Sequence, residues 1–320
     1  MKPLDLVFFG HFSIDRISYK DKDKDRVALG GGVTYGSSTA KAFDSQKEIG
    51  IVSVIGNDFK PEYNEFLKKI GVDLRGVRQL GSSTTSFKLT YNDNRRKIIL
   101  RAKAPDLEFS QVPKDYFSGK TFMLSPICNE IHFEFVRLLN ARVEGIIGLD
   151  VQGFIRSFDS EGYLSERNSQ ESIDLVYRII DELDEKLIFK ASHYEAEIIT
   201  GKSDPFKSID ELCRNDAIII ITLGKYGSLI LQKNHKVIEI PAFQPNQIQD
   251  PTGAGDAYMA SFLLEYSDSE KKNLKHTGIV ASAAVSFLLE EKGHRGVKPR
   301  KTVYKRITEQ KYLKFQYDKE

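Results

Sequence analysis

The chain has 320 residues, 40% of them hydrophobic and 29% charged, which excludes a disordered or fibrous protein and leaves ample length for a hydrophobic core. Subtracting 45 acidic from 47 basic residues leaves +2, too balanced for the overall field to draw in nucleic acid or an acidic membrane. Cys128 and Cys213 lie far apart outside any C-x-x-C spacing, which argues against a disulfide framework or structural zinc and for a reducing compartment. Nowhere do about eighteen apolar residues run together, so neither a membrane partner nor an export signal is expected and the cytoplasm is the expected location.

Along the chain, Leu4 to Phe9 is an apolar run closed by Gly10, the pattern of a buried strand opening into a loop. Similar runs at 49–55, 121–124, 145–151, 187–190 and 217–223, with helix-compatible segments between most of them, predict a mostly parallel α/β sheet. Ligands in such sheets gather at the carboxyl ends of the strands. Two stretches fit the sheet poorly. Residues 14–29 contain Lys20-Asp21-Lys22-Asp23-Lys24-Asp25-Arg26, which reads as an exposed turn between short strands, and 84–102 surrounds the turn formers Asn92-Asp93-Asn94. Together they predict a small β lid, with a second face of the main sheet as the alternative. Lys292 to Arg306 holds seven Lys/Arg and no acid, read as a solvated basic face, and Thr302–Phe315 is compatible with a terminal helix.

The segment richest in chemistry is Asp250-Pro251-Thr252-Gly253-Ala254-Gly255-Asp256, followed by an apolar helical stretch. Small residues let the backbone approach a ligand, and a helix starting there aims unpaired N–H groups and its positive dipole end at an anion. Read alone, Asp256 serves equally well as a helix cap. The whole motif resembles the C-terminal signature of the ribokinase (PfkB) family of small-molecule kinases. That resemblance implies a catalytic base at Asp256 and an anion hole at Gly253, Ala254 and Gly255 for the transferring phosphoryl group.

Further segments extend the resemblance over nearly the whole chain. Gly10-His11-Phe12-Ser13-Ile14-Asp15 followed by Gly30-Gly31-Gly32 is similar to the family's acceptor-binding strand end and glycine pair, which implies that Asp15 binds substrate hydroxyls beside Ser13, Gly31 and Gly32. Val54–Asp58 and Gly71-Val72-Asp73 also match family stretches, read as turns and packing. Thr222-Leu223-Gly224-Lys225-Tyr226-Gly227 resembles the family's nucleotide-binding T-L-G-x-x-G turn, so Thr222, Gly224, Lys225 and Gly227 are expected to meet ATP; an ordinary tight hairpin is the alternative. Ser192-His193-Tyr194-Glu195 aligns with the N-x-x-E region that helps organise Mg²⁺, with Ser192 replacing the usual Asn and Glu195 acting through the metal's water network. Thr200-Gly201-Lys202-Ser203 looks like the end of a P-loop but lacks the earlier glycine, because Ala196 stands there.

On the acceptor side, residues 10–15, Gly31-Gly32-Val33-Thr34-Tyr35 and Leu149–Arg156 resemble the archaeal myo-inositol kinase branch; ribokinases usually have Asn where Ser13 and Tyr35 fall. Gln152 and Arg156 supply hydrogen-bond donors for several hydroxyls. The resemblance thus implies one ribokinase-like catalytic domain over 1–320, a mostly parallel sheet flanked by helices with the lid at about 14–29 and 84–102. It further implies an ATP- and Mg²⁺-dependent kinase for a small polyol, preferably myo-inositol, with room for a monovalent cation and either a monomer or a lid-mediated homodimer. Alternatives are a kinase for a sugar or a nucleoside, and, from a different class, a non-catalytic binding protein of the same fold.

Overall fold

In the computed structural model, residues 2–19, 25–92, 95–165, 169–309, 312, 313, 315 and 317 are described. Most of the alternating-charge run at Lys20–Arg26, and Asp93-Asn94 of the second turn, lie outside them. The strands in chain order are β1 (Leu6–Phe9), β2 (Ser13–Tyr19), β3 (Arg26–Gly30), β4 (Ile49–Ile55), β5 (Val72–Gln79), β6 (Ser86–Asn92) and β7 (Arg95–Ala102). They continue with β8 (Thr121–Leu124), β9 (Ile146–Asp150), β10 (Leu187–Ser192), β11 (Ile218–Thr222), β12 (Ser228–Gln232) and β13 (Ile238–Ile240).

Nine strands form one sheet in the order β13-β12-β11-β10-β9-β8-β1-β4-β5, parallel from β11 to β5 and antiparallel at β12 and β13. The middle strands are apolar at nearly every position because both faces are covered by helices. Val7 and Phe9 of β1 enter one core layer and Leu6 and Phe8 the other. Helices Gly32–Phe43, Ala254–Asp268 and Leu274–Leu288 cover the second layer, whereas Phe133–Arg142, Gln170–Leu183, His193–Thr200 and Pro205–Leu212 cover the first. This is the mostly parallel α/β sheet flanked by helices that the sequence leads one to expect.

The two excursions build a separate four-stranded sheet, β3-β2-β6-β7, in which β2 and β6 run parallel and the outer pairs antiparallel. Segment 157–165 covers part of the β7 edge, with the Leu100 amide donating to Gly162 O (2.7 Å) and the Leu164 amide to Ile98 O (3.2 Å). A buried knot at its base ties this sheet to the core. Glu130 accepts from the amides of His11, Ile127 and Cys128 (2.8–2.9 Å), while the His11 ring meets Thr85 Oγ1 (2.8 Å) and Pro105 O (3.0 Å). Burial holds the His11 pKa below its usual range and pushes the Cys128 thiol upward, so the imidazole and the thiol stay uncharged within the knot.

Several expectations need correction. The last helix spans Arg300–Thr308, not Thr302–Phe315. The basic run 292–306 is not one solvated face, because Arg306 is buried over the Phe287 ring and pairs with Glu290 at 2.9 Å, and Arg300 meets Asp268 at 2.6 Å. Gly71 turns the chain with φ 81 and Val72 is buried, in line with turns and packing there, but the stretch also opens a full sheet strand, β5, absent from the expected strands. The rejection of a P-loop at Thr200–Ser203 needs no correction: Gly201 is the left-handed cap that ends helix His193–Thr200. No helix among the described residues is long and apolar enough to cross a membrane.

Candidate active site

The carboxyl ends of β9, β10 and β11 and the start of helix Ala254–Asp268 surround a cleft of about 280 Å³, roofed on one side by the small sheet. That volume is at the small end for ligand sites and suits a compact molecule. Gly253 has φ +80, and a Cβ there would lie 2.0 Å from Cδ1 of Tyr35, so only glycine lets the chain turn this tightly into the helix. The first helical turn then points its amides into the cleft. Of the three residues expected to form an anion hole, Ala254 has its amide engaged by Pro251 O (3.2 Å), while Gly253 and Gly255 line the cleft beside it.

Asp256 is half-buried, opening to the cleft while protein crowds its other sides. Its Oδ1 lies 2.9 Å from where a Cβ on Gly32 would sit, so it faces the acceptor-side glycines directly. Desolvation, reinforced by the charge of Asp150, pushes its pKa up to about 7 against the opposing pull of Lys190 and Arg156. A carboxylate poised there accepts a hydroxyl proton near neutrality.

Beneath the loop lies a pair that the motifs did not single out. Lys190 and Asp150 are register partners on β10 and β9, both buried, with Nζ 2.5 Å from Oδ2. Lys190 Nζ is also 2.6 Å from where a Cβ of Gly255 would be, directly under the anion loop. Burial works against its charge, but Asp150, Glu195 and Asp256 outweigh that and raise its pKa. Asp150 Oδ1 in turn accepts from the Gln152 amide at 3.1 Å. The signal was a lone lysine closing the apolar run Leu187-Ile188-Phe189, at a strand end where ligands collect.

Ser192 and Glu195 form a reciprocal capping box on helix His193–Thr200. The Ser192 hydroxyl accepts from the Glu195 amide (3.3 Å), and Glu195 Oε2 from the Ser192 amide (2.7 Å). Serine at the Asn position thus has a local structural reason. Glu195 is buried at the cleft wall and is not a solvated helical residue. Only one of its oxygens is committed to the cap, which fits Mg²⁺, an ion that keeps several waters and needs few protein carboxylates.

On the acceptor side, Ser13 and Asp15 are buried on β2, and Asp15 Oδ2 and Ser13 Oγ both crowd the Cβ position of Gly30. Gly31, Gly32, Tyr35, Gln152 and Arg156 join them around the same cleft. Arg156 also donates to Ile127 O at 3.3 Å. Tyr35 is held neutral by burial and meets the His294 ring edge-on at 6.2 Å. Across from these polar groups stands an apolar wall that the sequence motifs do not mark: Phe87, Leu89 and Ile98 of the small sheet with Ile127. On the donor side Thr222 lines the cleft, but Gly224, Lys225 and Gly227 do not. They form the turn of the antiparallel β11–β12 hairpin, where the Leu223 amide donates to Gly227 O (2.7 Å).

Residues 181–301 match the pfkB family carbohydrate kinase domain. The chain is 30% identical over 267 residues to a cytidine kinase from Thermococcus kodakarensis, covering 82% of this chain and 89% of that protein. It is also 30% identical over 252 residues to a nucleoside kinase from Methanothermobacter thermautotrophicus, covering 76% and 73%. Among solved structures, a pyrophosphate-dependent kinase in the ribokinase family, complexed with a pyrophosphate analog and myo-inositol, superposes with a TM-score of 0.73 at 23% identity, over 90% of this chain and 96% of that one. The protein belongs to the PfkB, or ribokinase, family of carbohydrate and nucleoside kinases, and is a phosphotransferase acting on an alcohol group.

Proposed function

We propose that the chain transfers the γ-phosphoryl group of ATP to a hydroxyl of a small ring polyol, with Asp256 as general base. The observation that carries this reading is Asp256 at the helix start, facing Gly32 across the cleft with its pKa raised toward neutrality. Asp15 and Ser13 orient the acceptor, Asp256 takes the hydroxyl proton as the new P–O bond forms, and ADP leaves with the electrons of the broken bond. Lys190 and the Gly255 and Asp256 amides face the charge of the transferring group. Glu195 is the residue suited to hold Mg²⁺ through water, and the bound ion would offset phosphate charge. The small sheet acts as a lid, closing over the acceptor to exclude water.

For the acceptor, the apolar wall of Phe87, Leu89, Ile98 and Ile127 favours a nucleoside, whose sugar meets the polar floor while its base covers the wall. The two relatives named for cytidine and nucleoside phosphorylation support the same choice. Myo-inositol is the second reading, favoured by the polar set Asp15, Gln152 and Arg156 and by the acceptor-side motifs. An ADP-release screen with purified protein, Mg²⁺ and ATP over cytidine and other nucleosides, myo-inositol, ribose and fructose tests both. Turnover of nucleosides alone supports the first reading; turnover of myo-inositol alone overturns it in favour of the second. Release of phosphate without any acceptor-dependent ADP would remove the kinase assignment. Slower hydrogen exchange in 14–19, 25–29 and 84–92 with acceptor and a non-hydrolysable ATP analogue is the expected mark of lid closure.

A further inference from the structure

Beyond the last helix, the described residues Tyr312, Leu313, Phe315 and Tyr317 lie against segments that lead into the cleft. The Leu313 amide donates to Ala242 O at 2.7 Å, and Tyr312 pairs with Phe243, ring centroids 5.9 Å apart. Further on, Phe315 packs on the first core layer. Tyr317 then sets its ring at right angles to two others, His193 and Tyr226, each at 5.6 Å. The Nε2 of His193 donates to Ser203 O (2.8 Å), which leaves Nδ1 as the acceptor for the Tyr317 hydroxyl at 3.3 Å.

These contacts fall on three segments that lead into the donor half of the site. His193 follows Ser192 at the end of β10, and Tyr226 closes the turn after Thr222 at the end of β11. Ser192 and Thr222 are themselves register partners and line the cleft. Ala242 and Phe243 begin the segment that runs to the anion loop. The Gly224–Tyr226 turn projects from the sheet: a Cβ on Gly224 would meet nothing within 4 Å, and Tyr226 is 40% exposed. A turn with so few neighbours opens easily unless something holds it.

We propose that Tyr312, Leu313, Phe315 and Tyr317 act as a strap that sets the geometry of the donor half, with Tyr317 as its positioning residue. Tyr317 acts through His193 and Tyr226, tying together the two strand-end loops that carry Ser192, Glu195 and Thr222. The proposal rests on the kinase reading for its kinetic consequence but not for its structural one. Edge-to-face ring contacts of this kind account for an effect of about three- to tenfold on an equilibrium.

The test compares wild type, Tyr317→Ala and Tyr317→Phe, with ATP and the acceptor varied separately. Tyr317→Ala is expected to raise the KM for ATP about three- to tenfold while kcat and the acceptor KM stay within about twofold. Tyr317→Phe, which keeps the ring and loses the hydroxyl, should fall between. Hydrogen exchange across 192–197 and 222–227 in the ligand-free protein should quicken in Tyr317→Ala. An unchanged ATP KM with unchanged exchange overturns the strap. Equal rises in both KM values overturn it in favour of a general packing role, and a lower ATP KM or higher kcat in favour of an inhibitory tail. Should the wild type release no ADP with any acceptor, the kinase reading falls and the exchange measurement alone judges the strap.

Discussion

At one end of the cleft, Asp150, Lys190, Glu195 and Asp256 crowd ionisable groups around a helix start; at the other, Phe87, Leu89, Ile98 and Ile127 present hydrocarbon. In the charged end Asp150 and Glu195 act on the proton affinities of Lys190 and Asp256, which also act on each other, so removing one group alters those two. The apolar end has no such coupling: its side chains act through shape and area, and a change there is felt by whatever rests against it. The first end is therefore where turnover should be lost, and the second where one acceptor should be traded for another.

The sharpest way to break this division is Asp256→Asn, expected to lower kcat by about a thousandfold, within the range for loss of a general base. Asparagine keeps the size and removes the proton-accepting charge. Because folding raises the pKa of Asp256, the group stabilises the fold at acid pH and that contribution is lost as pH rises through about 7. The variant should therefore melt no lower than wild type at pH 8. Near-normal turnover by the folded variant would remove Asp256 from catalysis.

Lys190→Met comes next. It strands Asp150 as a buried unpaired charge, so unfolding free energy should drop by about 3–5 kcal/mol and kcat/KM by about a hundredfold. Adding Asp150→Asn should restore much of the stability and little of the activity; recovery of both would make the pair structural only. In wild type, kcat/KM should rise with pH to a plateau above about 7 and fall about tenfold per unit below it. A flat profile from pH 5.5 to 8.5 would detach that ionisation from the rate. The smallest effect belongs to the apolar end: Phe87→Ala should raise the acceptor KM about tenfold and leave the ATP KM within twofold. If it cuts kcat for every acceptor alike, the two ends are not separable.

Half of the charged end, Asp256 and Glu195, was legible in the sequence because its chemistry is local. Gly253 to Asp256 sit within four consecutive residues, and Ser192 and Glu195 within one helical turn. The central strands were legible for a related reason, since Ile218-Ile219-Ile220-Ile221 is apolar on both faces and has nowhere to go but the middle of a sheet. What was lost is what strand register decides. Asp150 and Lys190 are forty residues apart and meet only because β9 and β10 are neighbours. Phe87 and Leu89 alternate as any hairpin would, and their place over the cleft follows from the parallel pairing that sets Asp15 against Phe87 and Ile17 against Leu89. β5 escaped notice because Val72–Gln79 is half exposed and carries Asp73 and two arginines, an edge-strand composition that mimics a loop.

The hairpin at 157–165 that caps part of β7 bears on how copies of the chain can meet. Its bonds to Ile98 and Leu100 use up backbone groups that a second chain would need in order to extend the small sheet from that side. The opposite border, β3, bonds only to β2 among the described strands, and Val27 on it is 47% exposed. Self-association by strand addition is thereby steered to one border, and a charge or proline introduced there is the economical way to keep concentrated preparations dispersed.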